Sequence, residues 1–231
     1  PRPGPPRAAV PPPAVLAAAP SPGIVLVDRP GLAQSVVRVV AAGPPRGASG
    51  FAVAGAAAAV LSGPFSSRLN LSLREKHGYT YFVAGSLDGY GDASLFHVSG
   101  SIVREKTAPA LREMLTEIDR LTREPPSADE LALAQRHLTV SLEQGTTRVA
   151  GVASVLRELR ARRVPLRELT EWHPRVAGLT AEAVREAAAG MLPRDRLRIV
   201  VVGDAAVIRH ELEALGVGAV RVLPSAAASR P

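Results

Sequence analysis

The sequence predicts an α+β domain in which a mostly antiparallel sheet carries helices on one face. Three observations lead there. Strand-like runs stand at both ends of the chain, about ninety residues between them repeat their apolar positions at helical spacing, and 46% hydrophobic content in 231 residues suffices for a sizeable core.

Residues 1–22 are dominated by Pro and Ala, with Pro11, Pro12 and Pro13 in succession, a composition that favours extended polyproline geometry and builds no core. They read as a linker whose removal leaves the fold intact. Two β-rich runs between Ile24 and Val40 flank the turn signal Pro30-Gly31, and the second ends before Gly43-Pro44-Pro45. Phe51 to Leu61 is apolar almost all round and rich in Ala, which suits a helix buried against a sheet. Ser66 or Ser67 can N-cap a shorter helix through Leu69, Leu73 and Lys76, with Gly78 as its stop.

Tyr79 to Leu87 reads as a strand with Tyr79, Tyr81, Val83 and Gly85 on one face and Thr80, Phe82, Ala84 and Ser86 on the other. Asp88-Gly89 and Gly91-Asp92 mark a turn, and Ala93 to Val103 returns as the second strand of a hairpin. Leu111, Met114, Leu115 and Ile118 then repeat at helical spacing, and Ser127-Ala128-Asp129-Glu130 is a capping box that opens the next helix, with two or three more behind it. Leu197 to Val202 is an apolar strand ended by Gly203-Asp204. Val207 to Leu215 is a closing helix, Ala219 to Leu223 a last strand, and 225–231 a disordered tail.

Composition excludes several functions. The net charge of +7 invites a nucleic-acid reading, but Lys76 and Lys106 are the only lysines, the arginines are scattered among acidic residues, and 3% aromatic content is too little for base stacking. No cysteine is present, so disulfides and thiolate metal sites are excluded. The longest apolar run falls short of the roughly 20 residues of a membrane span. With Pro1 as first residue, a leader cannot be judged, and the compartment stays open between cytoplasmic and extracytoplasmic.

No two of His77, His97, His137, His173 and His210 are spaced to converge on a metal from one helix face, so no residue is expected to ligate a metal. A G-x-S-x-G elbow is lacking, and Gly43-Pro44-Pro45-Arg46-Gly47 lacks the Lys and Ser/Thr of a phosphate loop. His77 reads as a surface residue.

One stretch stands out. Gly63 opens a turn, Ser66-Ser67-Arg68-Leu69 starts a helix, and Arg74-Glu75-Lys76-His77-Gly78-Tyr79-Thr80-Tyr81 runs from that helix into a strand. This spelling resembles the zinc-free, inactive half of the pitrilysin/insulinase-type zinc metallopeptidases, processing-peptidase branch. Val27-Asp28-Arg29-Pro30-Gly31 with Gln34-Ser35, the Ser127 capping box, and Arg198 to Asp204 extend the resemblance over about residues 24–223. Pro64 and Phe65 depart from it, standing where the family often has more glycine. The resemblance implies a processing-peptidase-like (metallohydrolase-like) half-domain over 23–224 that carries no cofactor. A zinc-bearing homologous half or subunit would be its partner and an extended peptide the substrate. It implies supporting catalytic roles for Arg74 and Tyr81, as donors to a carbonyl or oxyanion, and substrate contacts from Tyr79, Ser66, Ser67 and Arg68. Local sequence alone favours a plainer reading, in which Arg74 serves the helix dipole and Tyr81 is an ordinary half-buried sheet residue, and the resemblance over the whole domain reverses that preference. Homologous halves also act as structural subunits of respiratory complexes, so a non-catalytic scaffold is the alternative.

Overall fold

The computed structural model describes residues 23–90, 93–161 and 164–224; the expected linker, the expected tail and Gly91-Asp92 of the turn lie outside the described residues. Six strands form one mixed sheet: β1 (Gly23–Asp28), β2 (Gln34–Gly43), β3 (Thr80–Tyr90), β4 (Ala93–Val103), β5 (Arg198–Gly203) and β6 (Ala219–Leu223), in the spatial order β3-β4-β2-β5-β1-β6. Three pairs are antiparallel, whereas β1 lies parallel to both β5 and β6. The two strands around Pro30-Gly31 are therefore not neighbours. The late strand β5 is inserted between them, a long-range pairing that no local turn signal announces.

That insertion brings two distant segments together. Gly31 N–H donates to Asp204 Oδ2 at 2.8 Å, Ala205 N–H donates to Asp28 Oδ1 at 3.0 Å, and Arg29 N–H donates to Gly203 O at 2.8 Å. The turn after β1 and the start of the closing helix thus satisfy each other's orphan groups.

One sheet face carries the helices. The first, α1 (Phe51–Ser62), is buried at every residue but Val53, because apart from the terminal Ser62, whose hydroxyl donates to Ala58 O, its side chains are all apolar and present no polar face to keep in water. A second, α2 (Arg68–Asn70), continues as a wider π-helical turn over Leu71–Lys76. Behind them come α3 (Thr107–Arg123), α4 (Ala128–Thr146), α5 (Val149–Ala161), α6 (Glu168–Ala177), α7 (Ala181–Met191) and α8 (Ala205–Glu213). The expected stripe of α3, Leu111, Met114, Leu115 and Ile118, is buried in the main core beside Phe96, Val98 and Ile102 of β4. Ser127 and Glu130 close the capping box at α4 from both sides, with Ser127 Oγ accepting from Glu130 N–H and Glu130 Oε2 from Ser127 N–H. Trp172 of α6 packs with Phe51 against α1. The opposite sheet face stays partly exposed along Val36, Leu95 and Val103.

Candidate functional site

The distinctive stretch folds into a helix that stops against the edge strand β3. Gly78 has φ +63°, the left-handed conformation that a side chain penalises, and its N–H donates to Arg74 O at 3.1 Å. Immediately upstream the turn is widened, since His77 N–H reaches back to Ser72 O at 3.1 Å and Tyr79 N–H to Leu73 O at 2.8 Å. The expected stop is thus where the sequence places it. At the other end Ser67 occupies the N-cap position but makes no capping bond to the backbone; its Oγ accepts from Asn70 Nδ2 at 3.1 Å instead.

Asn70, which the sequence reading passed over, is the main brace of the site. It is fully buried, its Nδ2 donates to Val83 O at 2.9 Å, and its Oδ1 accepts from Val83 N–H at 2.8 Å. The carboxamide therefore meets Val83 as a neighbouring strand would, on the sheet edge that has no strand beyond it. The available signal was a lone Asn between Leu69 and Leu73, on the inward side of an otherwise apolar stripe.

The alternation expected along β3 is broken. Thr80 pairs with Ile102 and Val83 with Gly100, so one extra residue is accommodated between them and the side-chain phase slips by one. Thr80 fills this bulge, with its hydroxyl donating to Ser101 O at 2.7 Å and accepting from Phe82 N–H at 3.3 Å. Consequently Thr80 and Val83 are both buried and Tyr81 is 79% exposed. Tyr79 does not share the environment of Tyr81. It packs against the main core and stacks on His77 at 4.8 Å between ring centroids. His77, in turn, is not a surface residue: it is half-buried, with Nε2 3.8 Å from Glu113 Oε2.

Arg74 and Tyr81 are brought to one rim. The guanidinium carbon lies 5.4 Å from the Tyr81 ring centroid and 5.0 Å from that of Phe65, while Phe65 packs on Phe82 at 4.7 Å. The two rings steer the cation without using its N–H donors. Its ion pair is with the exposed Glu75, at 3.4 Å. Phe65, which departs from the expected glycine, is a working part of this arrangement. The rim thus offers guanidinium donors and a phenol on an aromatic bed, suitable for carbonyl or carboxylate oxygens.

Ser66, Ser67 and Arg68 are placed differently. Ser66 is exposed, Ser67 is buried beneath Asn70, and Arg68 is buried, its Nε and Nη2 donating to the two carboxylate oxygens of Glu130 at 2.6 and 2.9 Å. The Arg68 guanidinium beside Glu130 holds that carboxyl below its ordinary range. Among the described residues no group of three or more His, Asp or Glu side chains could hold a metal ion, and no helix is long and apolar enough to cross a membrane.

Comparison with known proteins agrees with this architecture. The sequence model described as peptidase M16 inactive domain matches residues 2–138. A peptidase M16 inactive domain from Pseudomonas fluorescens has a similar structure, with a TM-score of 0.71 and 23% identity over 79% of this chain and 44% of that one. An inactive peptidase domain from Bordetella parapertussis gives a TM-score of 0.65 at 21% identity, covering 75% of this chain and 94% of that one. A chain of complex III2 from Candida albicans gives 0.72 at 15% identity, covering 83% and 49%. This chain therefore spans less than half of the first structure it matches and nearly all of the second. No functionally curated protein matches the sequence.

Proposed function

We propose, since the chain belongs to the peptidase M16 inactive-domain family, that it closes the catalytic chamber of a zinc-bearing homologous half and presents Arg74 and Tyr81 to an extended peptide substrate. The observation that carries this reading is the convergence of the two groups on one exposed rim, with the Arg74 guanidinium 5.4 Å from the Tyr81 ring. The partner would supply the metal, the attacking water and the general base. This chain's part is to bind and orient. Arg74 donates to the carbonyl oxygen of a peptide and, more strongly, to the oxyanion that develops there, because a charge-assisted bond strengthens as the acceptor gains charge. Tyr81 adds a second donor from the strand. Ser66 lies near the start of the same helix as a further contact for the peptide backbone, and Tyr79 supports the wall from behind.

The test is kinetic. In the complex with a zinc-bearing half, Arg74→Ala or Tyr81→Phe should lower kcat on the order of a hundredfold, as loss of one oxyanion donor does, with a smaller effect on binding. Near-normal turnover in both complexes would remove the supporting catalytic role. A purely structural assembly subunit is the second reading, favoured by the likeness to a chain of complex III2. It predicts that both substitutions leave assembly and turnover unchanged.

A further inference from the structure

Arg74 lies inside the widened turn Leu71–Lys76, which is marked by the His77 N–H reaching back to Ser72 O at 3.1 Å. Glu113 of α3 faces the side chains of both residues in that bond. Its Oε2 accepts from Ser72 Oγ at 3.0 Å and stands 3.8 Å from His77 Nε2, an enclosed nitrogen without a hydrogen-bond partner. We propose that Glu113 is a positioning residue for the rim: through Ser72 and His77 it holds the turn in its wide form, and so sets the Arg74 guanidinium over Phe65 and Tyr81. The proposal deepens the peptide-contacting role proposed above, and it rests on that reading only for the effect on turnover.

A wide turn needs an outside tie to keep its shape. It takes one residue more than an α-helical turn, a rare form that recurs at functional sites. Relaxation to α-helical pairing would move the His77 N–H from Ser72 O to Leu73 O, where the Tyr79 N–H is already bound at 2.8 Å. It would also add about one residue's worth of twist, roughly 100°. Upstream the segment cannot follow, because Asn70 is fixed to Val83 and Leu73 is fully buried. The twist would therefore fall on Arg74 and carry its guanidinium off the two rings.

Glu113 is placed to resist that twist. Leu111, Met114 and Leu115 around it are buried in the main core, so the carboxylate is presented from a fixed helix. Glu75, the ion-pair partner of Arg74, is exposed and belongs to the same turn, so it cannot fix the turn's shape. A carboxylate oxygen takes two donors, and Ser72 is one; His77, with its proton on Nε2, supplies the other as the two side chains close up. The Tyr79 ring stacks on His77 at 4.8 Å with 17° between the planes, and it leads directly into the strand that carries Tyr81. Glu113 thus addresses both rim groups at one remove, Arg74 through Ser72 and Tyr81 through His77 and Tyr79.

The first measurement is nuclear magnetic resonance on the full chain without any zinc-bearing partner. The Arg74 Nε–H resonance, identified by its loss in Arg74→Ala, should be displaced by the ring currents of Phe65 and Tyr81. Glu113→Ala and Ser72→Ala should each return it towards the position of a free arginine, and the double variant should go no further, because both remove the same bond. Glu113→Gln keeps an acceptor for Ser72 and should hold the resonance in place. Thr180→Ala, which lowers stability by removing the N-cap of α7, should leave it unmoved. Circular dichroism checks the fold of each variant, and Ser72→Ala, the loss of one hydroxyl, decides the matter if Glu113→Ala does not fold. The second measurement is turnover in the complex with a zinc-bearing half. Glu113→Ala should lower kcat by about tenfold or more with a smaller change in KM, and it should add nothing to Arg74→Ala. A resonance unmoved by both alanine substitutions, an equal move in Thr180→Ala or Glu113→Gln, or the same loss of kcat with and without Arg74 would overturn the positioning role. Normal turnover in Arg74→Ala would remove the catalytic reading instead, and the resonance would still decide whether Glu113 sets the rim.

Discussion

Arg68 and Arg74 stand on one short helical segment, six residues apart, and the fold puts them to opposite uses. Arg68 is buried and fixed by both oxygens of Glu130, which itself closes the capping box of α4, so this arginine ties two helices into the frame. Arg74 sits half-exposed over Phe65 and Tyr81, with a single ion pair to an exposed neighbour. The same side chain is therefore an internal brace at one end and an available donor at the other. What differs is whether a carboxylate desolvates with it. A buried guanidinium must be paired, whereas a guanidinium on aromatic faces keeps its N–H donors for another molecule.

Substituting the brace is the strongest way to break this comparison. Arg68→Ala should destabilise the chain by about 3 kcal/mol, because the largely shielded Glu130 carboxylate loses its partner. Urea unfolding would measure it, and a loss close to that of Arg74→Ala would erase the distinction. Arg74→Ala should lower stability by no more than about 1 kcal/mol, the size of an exposed cation–π contact, while its effect falls on turnover in the complex. Asn70→Ala belongs with the brace. It leaves the Val83 N–H and C=O without partners, so a loss of about 2 kcal/mol is expected, with faster exchange of the Val83 amide as the local signature.

Smaller effects sharpen the picture. Gly78→Ala should cost about 1 kcal/mol through the left-handed backbone at φ +63°, and it should perturb the rim because this glycine sets the angle between Arg74 and Tyr81. The Arg68–Glu130 pair also predicts a pH dependence. Since the folded-state pKa of Glu130 is depressed, chiefly by the hydrogen bond from Arg68, its contribution is present above the ordinary carboxylate range and is lost as pH falls through that range and below. The stability difference between the wild-type chain and Arg68→Ala should therefore shrink on acidification. A difference that stays constant to low pH would show that the pair is not the brace described.

Local periodicity and termination chemistry were legible from the residues alone, because they depend on neighbours a few positions away. The α3 stripe, the capping box at Ser127, the stop at Gly78 and the extents of β4 and β6 follow from spacing, cap residues and turn residues. So did the nomination of Arg74 and Tyr81, through a spelling that resembles a family. Only the tertiary structure decided the rest. The insertion of β5 between β1 and β2 is a contact between chain ends, and the bulge before Val83 arises from pairing with β4. Those long-range pairings expose Tyr81 and turn Tyr79 towards the core. They also give Asn70 a strand to imitate and bury Arg68 against a carboxylate sixty-two residues away. A side chain's role depends on what desolvates it, and that neighbour is chosen by the packing of distant segments, which no local pattern encodes.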